Sequence, residues 1–120
     1  MKKIEAIIRT SKFEQVVEAL ADAGVTFLSF YDVKGHGLEK EYRTYRGTTY
    51  DVGYIPRTKL EIVVSEEFLQ KAVDTILDAA KTDKIGDGKI FVTHLDEVYR
   101  IRTGEKGHEA INWQCAIESW

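Results

Sequence analysis

Glycines and cationic side chains gather in three stretches of this 120-residue chain: Lys34-Gly35-His36-Gly37, Lys84-Ile85-Gly86-Asp87-Gly88-Lys89 and Arg100-Ile101-Arg102-Thr103-Gly104. Glycine lets backbone N–H groups approach and wrap an anion. Lysine adds a point charge, and arginine a planar fork that matches phosphate oxygens. The three stretches together have the chemistry of an anion site, with phosphate the natural occupant. Each alone is weak, since Asp87-Gly88 is also an ordinary hairpin turn. Arg100 and Arg102 have strand spacing, which would send both side chains to one face. The Walker A pattern and a G-x-G-x-x-G between strand and helix do not occur in the sequence.

Other chemistries find less support. His36, His94 and His108 lack a paired ligand spacing, so a zinc site is not expected. No serine sits in a nucleophile elbow. Cys115 has no basic neighbour in sequence and reads as a small buried residue.

The elements that must position the three stretches form a cryptic repeat. Ile4-Glu5-Ala6-Ile7-Ile8 aligns with Leu60-Glu61-Ile62-Val63-Val64 at an offset of 56. The same offset maps Phe13, Val16, Val17, Leu20 and Ala21 onto Leu69, Ala72, Val73, Ile76 and Leu77, and both sets have the spacing of one helical face. Ala80 extends the second stripe. Ser11 and Glu14 have capping-box spacing, Gly24 suits a helix C′ position, and Glu66 and Glu67 suit a first turn. Val25 to Val33 and Ile90-Phe91-Val92 supply the second strand of each half. The chain reads β-α-β, β-α-β: an α+β, ferredoxin-like βαββαβ sandwich with both helices on one sheet face. The other face lacks a third layer. Strand one is apolar on both parities (Ile4, Ala6 and Ile8 against Ile7), so burial against further copies in a homo-oligomer is expected.

Composition agrees with a single globular domain. The chain is 43% hydrophobic and 31% charged, with one proline and a net charge of −3. That balance argues against bulk nucleic-acid binding, which needs phosphate neutralisation. One cysteine excludes an internal disulfide framework. The acidic residue at position 5 breaks any signal-like apolar run, and no run is long enough to span a membrane. A cytoplasmic domain is expected.

Two segments are surplus to the sandwich. Residues 36–56 show no sustained period and hold Tyr42, Tyr45, Tyr50 and Tyr54 with Arg43 and Arg46, followed by Arg57. Tyrosine and arginine enrichment is the composition of a contact surface, so this long loop is expected to bind a partner. In the tail, Ile111, Trp113, Cys115 and Ile117 alternate, which predicts an extra strand covering an edge or a neighbouring subunit.

The blocks Lys2 to Arg9, Val33 to Gly37, Tyr45-Arg46-Gly47, Lys84 to Val92 and Arg100 to Glu105 resemble, in order, the nitrogen-regulatory PII signal-transduction family. The resemblance covers residues 1–107, leaving 108–120 as a C-terminal extension. It implies a homotrimer of ferredoxin-like subunits with ATP or ADP in the clefts between them. It also implies a T-loop, residues 36–56, that docks onto a transporter or metabolic enzyme of nitrogen metabolism. By position, Gly86, Asp87, Gly88 and Lys89 would surround the phosphates, and Arg100 and Arg102 would reach them from the same or the adjacent subunit. Gly35 and Gly37 would line the mouth of the T-loop, and Ile7, Ser29 and Val63 would flank the adenosine. No residue is cast as catalytic.

The departures from the family matter. Leu38 stands where the family has the arginine that grips the terminal phosphate, so ATP-over-ADP discrimination should shrink. Glu39 replaces a glutamine at the 2-oxoglutarate position. Like charges about 4 Å apart repel by several kcal/mol at moderate dielectric, which argues against 2-oxoglutarate binding there in the usual way. A carboxylate at 39 suits Mg²⁺ instead, as a hard-cation ligand. Arg57 replaces a lysine. Tyr50 aligns with a tyrosine that some members have uridylylated, but Thr48-Thr49 and Asp51 around it are unusual. Rival readings are a PII-like sensor of another small ligand (AMP, a cyclic nucleotide or bicarbonate), a slow nucleotide hydrolase using Glu39 as base, and a structural trimer with an empty cleft.

Overall fold

The computed structural model describes residues 1–25, 27–36, 42–45, 48–51 and 53–111, with the backbone alone described at 42–45 and 48–51. Its elements run β1 (Lys2–Ile8), α1 (Phe13–Asp22), β2 (Ser29–Gly35), β3 (Tyr42–Tyr45), β4 (Thr48–Asp51), β5 (Ile55–Val64), α2 (Glu66–Ala80) and β6 (Gly88–His94). Short 3-10 turns occupy Thr10–Lys12 and Gly107–Ile111. The main sheet has order β2-β5-β1-β6, antiparallel throughout. This is the expected ferredoxin-like βαββαβ sandwich.

The core follows from strand parity and the internal repeat. Ile4, Ala6 and Ile8 of β1 and Leu60, Ile62 and Val64 of β5 point to one face and are buried. Val16 and Leu20 of α1 and Ala72 and Ile76 of α2 pack on them. These helix positions are related by the offset of 56 read from the sequence. α1 ends in a Schellman motif: Val25 N–H donates to Leu20 C=O at 2.7 Å and Gly24 N–H to Ala21 C=O at 3.0 Å, with Gly24 at φ +104°.

Several local expectations are corrected. The Ser11/Glu14 capping box does not form. Thr10–Lys12 makes a 3-10 turn first, the N-cap is Lys12, and no side chain caps the helix. Thr10 Oγ1 instead meets the buried Thr58 Oγ1 at 3.0 Å, satisfying a hydroxyl that would otherwise be stranded in the core. β2 begins at Ser29, not Val25, because Val25 is consumed by the α1 terminus. Leu77 is half exposed and not part of the core stripe. The 36–56 segment contains a two-stranded ladder, with Tyr45 opposite Thr48 and Tyr42 opposite Asp51. Its threonines and tyrosines favour strands.

The uncovered face is more polar than strand-one parity alone suggested. Lys3 Nζ lies 3.1 Å from Glu5 Oε1 and 3.6 Å from Glu61 Oε2, and Lys59 Nζ lies 3.1 Å from Glu5 Oε2. Tyr31 Oη donates to Glu61 Oε1 at 3.0 Å. Hydrogen bonds from Lys3 and Lys59 hold the Glu5 carboxyl below its ordinary range, and the bond to Glu5 raises Lys3. Ile7 and Val63 flank this ladder on the same face. No helix among the described residues is long and apolar enough to cross a membrane.

Candidate functional site

The Lys84–Lys89 stretch leads from α2 into β6, and its shape is set by backbone sign and one carboxylate. Asp83, Gly86 and Gly88 have positive φ, at 65°, 99° and 109°. Asp87 accepts hydrogen bonds from the amides of Thr82 (2.8 Å) and Asp83 (3.0 Å), from the Thr82 hydroxyl and from Arg9 Nε (3.0 Å). The Thr82 bonds, then Arg9, hold the Asp87 carboxyl far below the usual carboxylate range. Asp87 therefore acts on the turn, not outward. Gly88 sits so close to β1 that a Cβ would stand 1.7 Å from the Ile7 carbonyl oxygen.

Two arginines complete the turn. Arg9 Nη2 donates to the Ile85 carbonyl at 2.9 Å, and Arg57 Nε and Nη2 donate to the Gly86 carbonyl at 3.3 and 3.0 Å. A trans peptide points its N–H opposite to its C=O. Capturing the carbonyls of 85 and 86 thus aims the amides of Gly86 and Asp87 away from the arginines, into the region where an anion would be cradled. Lys89 follows directly, exposed on β6 and opposite Ile7. Gly35 pairs with Ile55 at the same end of the sheet. Lys34 Nζ caps the Tyr54 ring at 4.7 Å.

Arg100 and Arg102 lie elsewhere. β6 runs antiparallel to β1, with Gly88 opposite Ile8 and His94 opposite Lys2, so the chain leaves the sheet about 20 Å from Gly88. Leu95 N–H donates to the Met1 carbonyl at 3.2 Å. Arg100 Nη2 donates to the Glu109 carbonyl at 3.0 Å, and Glu109 lines a cleft with Val64 and Ser65 at that far end. Residues 101–103 form a turn, not a strand, so the expectation that Arg100 and Arg102 share a face by strand parity is overturned. Arg100 N–H donates to Glu105 C=O and Gly104 N–H to Arg100 C=O, both at 2.8 Å. Arg100 Nη1 pairs with Glu105 Oε2 at 3.0 Å and so also braces this turn.

The expected residues thus fall into two groups. Ile7, Gly35, Arg57 and Gly86 to Lys89 gather at one end of the sheet. Val63 (opposite Lys3), Arg100 and Arg102 belong to the other end, and Ser29 lies between, opposite Glu61 and so level with Glu5 in the middle of β1. Ile7, Ser29 and Val63 share the uncovered face, but Val63 is opposite Lys3, roughly 13 Å along β1 from Ile7, and Ser29 is level with Glu5 and two strands across. Gly37, Leu38, Glu39 and Arg46 lie outside the described residues, as does the tail from Asn112. Tyr42, Tyr45 and Tyr50 are placed by backbone alone, on β3 and β4. Buried Ile111 closes a 3-10 turn that is the described part of the C-terminal extension. Sequence reasoning missed the roles of Arg9, Thr82 and Arg57 in shaping the turn. The available signal was Arg9 directly beyond the first strand block and Arg57 shortly before the Leu60–Val64 block, with a glycine turn in need of carbonyl partners.

Comparison with known proteins bears on most of the chain. The family profile described as "Nitrogen regulatory protein P-II" matches residues 1–105. The chain is 48% identical over 112 residues to the nitrogen regulatory protein P-II of Cereibacter sphaeroides, covering 92% of this chain and 100% of that one. With the same coverage it is 49% identical to the protein of that name from Klebsiella oxytoca and 45% to that from Haemophilus influenzae.

Proposed function

We propose, since the chain belongs to the nitrogen regulatory protein P-II family, that this signal-transduction regulator senses ATP and ADP in clefts shared by the copies of a homotrimer. The phosphates rest on the amides of Gly86 to Gly88 and on Lys89. Arg100 and Arg102 come from the adjacent copy, and Ser29 and Val63 of that copy meet Ile7 around the adenosine. ATP and ADP stabilise different arrangements of residues 36–56 only through differential contacts. That segment docks, through Tyr42, Tyr45, Arg46, Tyr50 and Tyr54, on a transporter or metabolic enzyme of nitrogen metabolism in the cytoplasm. Mg²⁺ is held by Glu39, and 2-oxoglutarate does not act in the usual way. The protein works as a regulator and not as an enzyme.

The observation that carries this reading is that the two cationic groups sit beyond opposite ends of β6, a strand about 20 Å long, on one subunit. A single copy cannot close both on one phosphate chain; two copies can. The test is complementation between defective subunits. Lys89→Ala and Arg102→Ala each remove a charged hydrogen-bonding group, so each homotrimer should bind ADP about tenfold to a hundredfold more weakly. Mixed trimers of the two variants contain clefts with both groups intact and should recover part of the tight binding in calorimetry. Mixed trimers, verified by mass, that recover none would overturn the shared cleft.

A further inference from the structure

We infer that Ile101 of one copy inserts into an apolar groove beside the phosphate turn of the next, locking the two halves of each cleft together. This rests on the shared-cleft reading and adds the contact that holds it.

Ile101 is 100% exposed. It is nonetheless presented on a fixed scaffold. Its turn is closed by the Arg100–Glu105 and Gly104–Arg100 backbone bonds, by the Arg100–Glu105 ion pair and by the bond from Arg100 to Glu109. A fully exposed branched aliphatic side chain on a braced turn is already oriented, so burying it sacrifices little entropy.

A receptor of matching character lies at the other end of the same subunit. A groove of about 470 Å³ runs between the end of α2 and β6, walled by Ile76, Leu77, Ala80 and Ile90. Its mouth is formed by Gly88 and Lys89 of the phosphate turn. Leu77 explains itself here: it is half exposed in one copy because it faces this groove. The groove lies at the C-terminal end of α2, which attracts cations; Asp78 stands in the last turn and Lys81 at the C-cap, both lining the groove. Arg100 and Arg102 flank Ile101. Consecutive Cα atoms are about 3.8 Å apart, so arginines brought to Lys89 carry Ile101 to the mouth of the groove.

Cross-linking tests the contact directly. Cys115, the chain's single cysteine, is replaced by serine, and Leu77→Cys and Ile101→Cys are combined. A disulfide needs Cα atoms within about 7 Å, which the two ends of one subunit cannot supply. Mild oxidation should give covalent dimers and trimers that reductant collapses and that neither single-cysteine variant forms. Separately, Ile101→Asp should raise the protomer concentration for half-assembly at least about tenfold, while Ile101→Val stays within about threefold. A trimeric double-cysteine protein with no covalent ladder, or Ile101→Asp assembling like the parent, overturns this inference and leaves the shared cleft standing. A parent protein that is monomeric and binds no nucleotide overturns both.

Discussion

Gly88→Ala is the substitution on which fold and site depend together. Two penalties add. A residue with a Cβ at φ +109° takes on left-handed backbone, costing about 1–2 kcal/mol. The new Cβ would also stand 1.7 Å from the Ile7 carbonyl oxygen, which is backbone in the β1–β6 ladder and cannot rotate aside. Relief requires moving one strand against the other, and overpacking of that kind costs about 1–3 kcal/mol. The sum is about 2–5 kcal/mol, against a total stability of about 5–15 for a domain. At roughly 4 °C per kcal/mol for a chain of this size, the melting temperature should fall by about 8–20 °C. Gly104→Ala is the matched control: its φ is +74°, and a Cβ there meets nothing within 4 Å. It should cost only the backbone penalty, about 1–2 kcal/mol. Both variants are compared with the parent by thermal and urea unfolding at one protomer concentration, since assembly shifts apparent stability. Gly88→Ala within about 1 kcal/mol of Gly104→Ala would refute the steric argument.

Two further outcomes follow from the same geometry. Asp87 is held ionised by Thr82 and Arg9, so its folded value lies below its unfolded one and its contribution is present above about pH 4 and lost as pH falls below that. The stability gap between the parent and Asp87→Asn should therefore narrow between about pH 4 and pH 2; a gap constant from pH 6 to pH 2 contradicts the Thr82/Arg9 clamp. Leu38→Arg should restore a fork for the terminal phosphate and strengthen ATP binding more than ADP binding in calorimetry, and equal gains for both nucleotides would remove that explanation.

Much of the fold was legible because the two halves repeat. Val16 and Leu20 sit in the core where Ala72 and Ile76 sit in the second half, so periodicity and self-similarity point to the same faces. Leu77 broke the pattern because its place is governed by a groove, not by the helix stripe. The capping box failed because Ser11 belongs to a 3-10 turn whose neighbouring hydroxyl, Thr10, is drawn to buried Thr58, 48 positions away. No local rule contains that partner. The site was less legible as geometry. Gly86 to Lys89 do share one turn, yet Asp87 turned inward to Thr82 and Arg9, and Arg100 braced its own turn. Strand spacing misled at Arg100 and Arg102 because a glycine at 104, with φ +74°, folds those residues into a turn.

The charged ladder on the uncovered face bears on how copies can meet. Lys3 and Lys59 are matched by Glu5 and Glu61, so this patch carries equal numbers of opposite charges, and Tyr31 donates to Glu61. Burying an unpaired charge costs several kcal/mol, whereas a paired and hydrogen-bonded set brings its compensation along. Ile7 and Val63 beside the ladder add apolar area on the same face, and Phe91 of β6 stands nearly half exposed on it. A sheet face built this way can be covered by another copy without needing charges from that copy. The interface is then free to be specified at its margins, at the Gly86–Lys89 turn and the Arg100–Gly104 turn. On the shared-cleft proposal, assembly and anion binding become one problem, since a bound anion would offset the charge of Lys89, Arg100 and Arg102 brought together.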